Sequence, residues 1–210
     1  MVEDKEIKCK TVGHSIFSVT EFIIIIQKHG INAIIDVRSM PYSRYCPQFN
    51  REPLKQELAK CQVAYHFLGD YLGARYTDPK VLFPDGKVDF KKVRLLPKFQ
   101  EGIAKVIEII KQGSNVALMC TEKDPFDCHR FVLISPALVK KGVIVEHIID
   151  ASRSISQIEL EKRLLKNYEG SSDSSSNLEK WIPQVKKTGG NRLEELYELR
   201  NKDIAFNGIK

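Results

Sequence analysis

No stretch of this sequence is apolar for longer than the five residues from Phe22 to Ile26. A helix that crosses a bilayer needs about 20, so no transmembrane span is expected. The amino-terminal residues carry acidic side chains at once and no apolar stretch, so no secretory signal is expected either. Cysteines are few and irregular: Cys9, Cys46, Cys61, Cys120 and Cys128 are an odd number without repeated spacing. Without an export signal they read as reduced thiols in a cytoplasm rather than a disulfide framework. Charge is not concentrated. Of 33 basic and 27 acidic side chains, 11 and 9 lie past residue 150, so no basic arm marks a nucleic-acid or membrane partner. No internal repeat is visible. With 42% apolar and 29% charged residues, wholesale disorder is excluded too. A chain of 210 residues has room for one α/β domain with an appendage, or for two small domains.

What is present is a strand–helix alternation. Residues 7–12 alternate like a strand. Ser18 with Glu21 forms a capping box for a helix that stops at Gly30. The apolar run 31–37 then suits a buried parallel strand. Further strands are expected near 62–68, 115–120 and 143–149. Helices are expected after Leu54, over 98–111 with a Phe99/Ile103/Val106/Ile110 stripe, and from Asp124-Pro125 to Lys141, interrupted at Pro136. Residues 38–53 and 69–86 read as loops. The pattern predicts an α/β fold: a largely parallel Rossmann-like sheet with helices on both faces. That domain would occupy residues 1–150. Residues 151–210 would form a mostly helical extension, with a helix capped by Ser154 and Gln157, a Ser-rich linker at 170–176, Trp181 and a Leu193/Leu196/Tyr197 helix.

Ligands of such sheets bind beyond the carboxyl ends of the strands, and reactive groups gather there. His14 and Ser15 follow the first strand. Asp36 and Arg38 follow the second, with Ser43 and Arg44 further along the loop. Cys120, Glu122, Cys128, His129 and Arg130 follow the fourth. The guanidinium forks of Arg38, Arg44 and Arg130 suit phosphate or carboxylate, unless Asp36, Glu122 or Asp127 pair with them as braces. Backbone N–H groups near Pro125 would add to an anion site.

Cys120, Glu122 and His14 are the candidates for covalent or proton-transfer chemistry. Cys120, Cys128, His129 and His14 together offer zinc donors. However, structural sites usually space paired cysteines by two to four residues, and here seven intervene, so no metal site is assigned. Inert buried thiols are favoured. A phosphatase pattern, with Arg six positions after Cys, is absent because Arg130 lies ten after Cys120. Tyr42, Tyr45 and Phe49 could stack on a base or pin their loop. These residues point to a phosphate-bearing ligand, a nucleotide or a nucleic-acid end, handled by a hydrolase- or transferase-like site. The alternative is a non-catalytic protein- or nucleic-acid-binding module. No cofactor is indicated.

Four segments in register carry a resemblance: Thr11 to Ser15, Asp36 to Arg44 with Phe49, Leu72-Gly73, and Cys120-Thr121-Glu122 through Cys128-His129-Arg130. The chain resembles the family called domain of unknown function 488 over about residues 11–140. The resemblance implies a compact Rossmann-like α/β domain and no assigned activity. It also implies signature positions at His14, Ser15, Asp36, Arg38, Pro41, Ser43, Arg44, Cys120, Glu122, Cys128, His129 and Arg130. Thr121 and Ala74 depart from the family pattern of Ala and Gly at those positions.

Overall fold

The computed structural model describes residues 6–169 and 191–209. The Ser-rich segment and Trp181 lie outside them. The chain runs β1 (Lys8–Gly13), α1 (Val19–Lys28), β2 (Ala33–Asp36), α2 (Arg51–Lys60), β3 (Ala64–Phe67), α3 (Gly69–Leu72), α4 (Phe90–Val93), α5 (Pro97–Lys111), β4 (Val116–Cys120), α6 (Ser135–Lys140), β5 (Ile144–Ile148), β6 (Ser154–Ser156), α7 (Gln157–Glu169) and α8 (Asn191–Ile204). The six strands form one sheet in the order β3-β2-β4-β1-β5-β6. All neighbours are parallel except β5 and β6. The α/β expectation, a largely parallel sheet between helical layers, is met.

Alternation along the buried strands divides the core. Ile34, Ala117 and Met119 face α1 and α2 through Phe22, Ile26, Leu54 and Leu58. Ala33, Ile35, Val116 and Leu118 face the other way, toward Phe99, Ile103, Leu138, Leu164 and Leu196. The connections leaving β1 and β2 therefore lie on one face, and the connection leaving β4 lies on the other. Because β4 sits between β1 and β2, its carboxyl end is flanked on both sides by chains diverging to the opposite face. That is the crevice where open α/β sheets take ligands.

The local rules behind several elements are visible. Ser18 Oγ accepts from Glu21 N at 3.2 Å while Glu21 Oε2 accepts from Ser18 N at 2.8 Å, closing the capping box of α1. Gly30 follows with φ +67°, the left-handed conformation that ends the helix. Two boundaries differ from expectation. Ser154–Ser156 is a strand, and the capping box of α7 is built by Ser156 and Glu159 instead of Ser154 and Gln157. The helix expected from Asp124 is broken as well. Pro125–Asp127 is a single 3-10 turn whose Phe126 N–H is taken by Asp124, and Cys128 is extended. Arg130–Ile134 then forms a π-helical turn before α6. Pro136 explains the irregularity: it has no N–H for the Val132 carbonyl, which accepts from Arg94 at 3.0 Å instead.

Candidate functional site

The loop after β4 is pressed against the end of β1. A Cβ added to Gly13 would lie 1.8 Å from the Glu122 carbonyl oxygen, so only glycine lets the two backbones approach. His14 N and Ser15 N donate to the carbonyls of Cys120 and Thr121 at 2.9 and 2.8 Å. This zipper carries the first strand's residues to the fourth strand's loop. Ser15 takes φ +49° to make the turn.

His14, Arg38 and Asp36 form one buried unit. Arg38 donates from Nε to Asp36 Oδ1 at 2.9 Å and from Nη2 to Asp36 Oδ2 at 2.6 Å, and also to the Phe49 carbonyl at 2.8 Å. Tyr65 adds a hydroxyl to Asp36 at 2.7 Å. His14 stacks on Phe49, with ring centroids 4.2 Å apart. Its Nδ1–H donates to the Ser15 carbonyl at 2.8 Å, and its Nε2 accepts from Arg38 at 3.1 Å. Burial first, then the Arg38 charge, lowers its pKa to about 4, so it is neutral.

The second unit gathers around Cys128. Oε2 of Glu122 lies 3.0 Å from Cys120 Sγ and 3.1 Å from Cys128 Sγ. His129 Nδ1 lies 3.6 and 3.7 Å from the same sulfurs. Its Nε2–H donates to the Val37 carbonyl at 3.2 Å, turning Nδ1 toward the thiols. Arg130, fully buried, donates from Nε to Cys128 Sγ at 3.1 Å, from Nη2 to the Glu122 carbonyl at 2.5 Å, and from Nη1 to Thr11 Oγ1 at 3.4 Å. Burial works to raise the Cys128 pKa. The hydrogen bond from Cys120 and the charges of Arg130 and His129 outweigh it and hold Cys128 low. Burial and the neighbouring thiolate push Cys120 up. Glu122 is exposed as a residue, but its carboxyl turns inward, and desolvation beside Cys128 raises it.

Over both units lies a cleft of about 250 Å³. Its walls include Arg38, Arg75, Cys120, Glu122, His129 and Phe206. Phe206 belongs to the segment after α8, which the fold pins in place. Val88 N donates to the Phe206 carbonyl at 3.0 Å, and Asn201 bridges Phe90 N and the Val88 carbonyl at 2.8 and 2.9 Å. Arg200 pairs with Asp127 and donates to the Phe126 carbonyl at 3.1 Å.

The candidate residues thus divide. Arg38, Cys120, Glu122 and His129 reach the cleft, whereas Asp36, His14, Cys128 and Arg130 are not among its lining residues and support it from beneath. Ser43 braces its own loop: its Oγ accepts from Tyr45 N and Cys46 N. Arg44, Tyr42 and Tyr45 are exposed outside the cleft, while Phe49 is core. Ser15 ties loops together. Sequence reasoning missed Arg75 and Phe206. Arg75 follows the Leu72-Gly73 signature at the start of a long loop, the one signal that could have marked it.

The family model described as Domain of unknown function DUF488 matches residues 18–136, more than half of the chain. No curated protein and no solved structure matches. The match takes in Asp36, Arg38 and the whole segment from Cys120 to Arg130. It leaves out His14 and the wall supplied by the end of α8. With β2, β4 and their loops inside the match, the chain belongs to the DUF488 family.

Proposed function

We propose that this chain is an enzyme-like binding domain that takes a phosphate-bearing ligand, a nucleotide or a nucleic-acid end, in the cleft beyond β2 and β4. The observation that carries this reading is Arg75. It lines the cleft, is exposed, and has no carboxylate partner among the described residues; its guanidinium touches only the Met40 sulfur, at 3.6 Å, and the Phe206 ring. Of the expected anion grips Arg38, Arg44 and Arg130, the first and last have their forks occupied by Asp36 and by Cys128, Thr11 and the Glu122 carbonyl, and Arg44 lies outside the cleft. Arg75 takes over that role, with Arg38 lending positive charge from the wall. A space of about 250 Å³ suits a phosphate with its sugar, the rest of the ligand extending past Met40 and Phe206. Cys120, Glu122 and His129 are the reactive groups such a ligand meets.

A thermal-shift panel of inorganic phosphate, pyrophosphate, nucleotides and phosphoesters tests the reading. A ligand at a hundred times its Kd stabilises by roughly 2.7 kcal/mol, which is readily seen. Arg75→Ala should weaken the responding ligand roughly tenfold or more, the worth of one charged hydrogen bond, and Arg44→Ala should not. No response to any member of the panel contradicts the reading.

A second reading, a macromolecule-binding surface, is favoured by the exposed Ile16, Tyr42, Arg44 and Tyr45 on loops past the same sheet edge. Binding of single-stranded nucleic acid that falls steeply with salt, and is lost on Tyr45→Ala but kept on Arg75→Ala, would select it.

A further inference from the structure

We propose that Cys120, Glu122, Cys128 and His129 form a binding site for one divalent cation of the zinc class. Their four donor atoms all lie within 4.8 Å of one another. Tetrahedral zinc bonds of about 2.0–2.3 Å place donors roughly 3.3–3.8 Å apart. The sulfur-to-Nδ1 distances of 3.6 and 3.7 Å fall in that range, and the sulfur-to-Oε2 distances of 3.0 and 3.1 Å lie just below it. Two sulfurs, an imidazole nitrogen and a carboxylate oxygen are the donor types zinc selects.

The surroundings are those of a metal site. The Nε2–H of His129 is held by the Val37 carbonyl, which turns Nδ1 toward the sulfurs, where it can ligate a metal once its proton is released. Arg130 supplies the outer support, with its Nε 3.1 Å and its backbone N 3.5 Å from Cys128 Sγ. Charge balances as well. A divalent ion on two thiolates and one carboxylate carries a single negative charge, and fully buried Arg130, which has no carboxylate ion pair among the described residues, carries the opposite one. Binding releases the protons of the donors to solvent and changes no oxidation state. Cys120, Glu122 and His129 face the cleft and provide an entry path. The seven residues between the cysteines argued against a metal along the chain. The 3-10 turn at Pro125–Asp127 and the extended Cys128 bring the second sulfur back to the first.

Three of these donors also border the cleft of the phosphate reading, but metal uptake is measured with nothing else in the cleft, so failure of one reading is distinguished from failure of the other. The experiment uses the full chain, reduced, stripped with chelator and titrated with Zn²⁺ by calorimetry and with Co²⁺ by absorption. The expected result is one equivalent bound, a raised Tm, and a Co²⁺ spectrum with thiolate charge-transfer and strong tetrahedral d–d bands. Cys120→Ser and Cys128→Ser should each weaken Zn²⁺ roughly a hundredfold or more, and Glu122→Gln roughly tenfold or more. Cys61→Ser, outside the cluster, should leave it unchanged. The Co²⁺ spectrum of the unaltered chain decides the matter even if a cysteine variant fails to fold. Absence of stoichiometric uptake by the reduced chain, or a Co²⁺ spectrum without thiolate bands, overturns the proposal.

Discussion

Arg38 and Arg130 are both buried at the ends of the neighbouring strands β2 and β4, yet their charges are answered differently. Arg38 meets a carboxylate face to face: Asp36 takes two of its guanidinium nitrogens and its backbone N–H. That unit is closed, with Tyr65 and neutral His14 completing the shell. Arg130 meets a sulfur, a hydroxyl and a carbonyl. Its counter-charge is left to the cluster of Cys128, Cys120 and Glu122. One arginine is locked into the frame, and the other props up a cluster of thiols, a carboxyl and an imidazole. Each also has a buried histidine. His14 touches Arg38 directly. His147 is reached from Arg130 through Thr11, whose Oγ1 lies 2.8 Å from Nδ1. From His147 the chain of hydrogen bonds continues through Gln157 and Tyr197 to Glu161, tying the β4 loop to α7 and α8.

The largest effect should come from opening the closed unit. Asp36→Ala leaves Arg38 buried without its counter-ion and should cost about 3–5 kcal/mol in urea unfolding, with or without Zn²⁺. Stability measured with chelator present should next show the histidines. Burial lowers His147 to about 4 from an ordinary 6.5, against a hydrogen bond that its Nε2–H donates to Gln157 Oε1, which raises it, and an Arg130 charge that lowers it further. The unfolded chain therefore takes up the proton first. Stability is full above about pH 6.5 and is lost as pH falls toward 4, by about 3 kcal/mol for this group. His147→Gln should flatten that part of the profile, and a profile as steep as that of the unaltered chain would contradict the assignment. Cutting the relay with Thr11→Val strands Nδ1 of His147 and should cost about 1–3 kcal/mol by the same unfolding assay. The smallest change is expected from Arg200→Ala, which removes the partly exposed pair with Asp127 and the cation over Phe126, 4.4 Å from the ring centre. About 1 kcal/mol is expected from thermal unfolding, together with a looser cleft wall.

Much of this frame is legible in local chemistry. The Ser18/Glu21 box, Gly30 and the doubly buried runs at β2 and β4 announce their elements because near neighbours in the chain decide them. The gathering of His14, Arg38 and Cys120 at one edge is legible too, since parallel strands deliver their carboxyl ends to the same side. Orientation is not legible. Nothing in the order of residues says that Arg130 turns inward to Cys128, or that Asp36 consumes the Arg38 fork rather than leaving it for an anion. The closeness of Cys120 and Cys128 is hidden by their spacing, because a 3-10 turn folds back what the count spreads out. The meeting of Arg75 with Phe206 is not legible for another reason: it depends on Asn201 and Arg200 docking α8 against segments far away in the chain.

The cleft itself is tested most directly by following backbone amides by NMR while pyrophosphate or a nucleotide that responds in the thermal panel is added. Shifts that concentrate at Ser39, Arg75, Thr121 and His129, and that vanish in Arg75→Ala, are the predicted result. Shifts absent from both loops, or gathered around Tyr42 and Tyr45 instead, would contradict it.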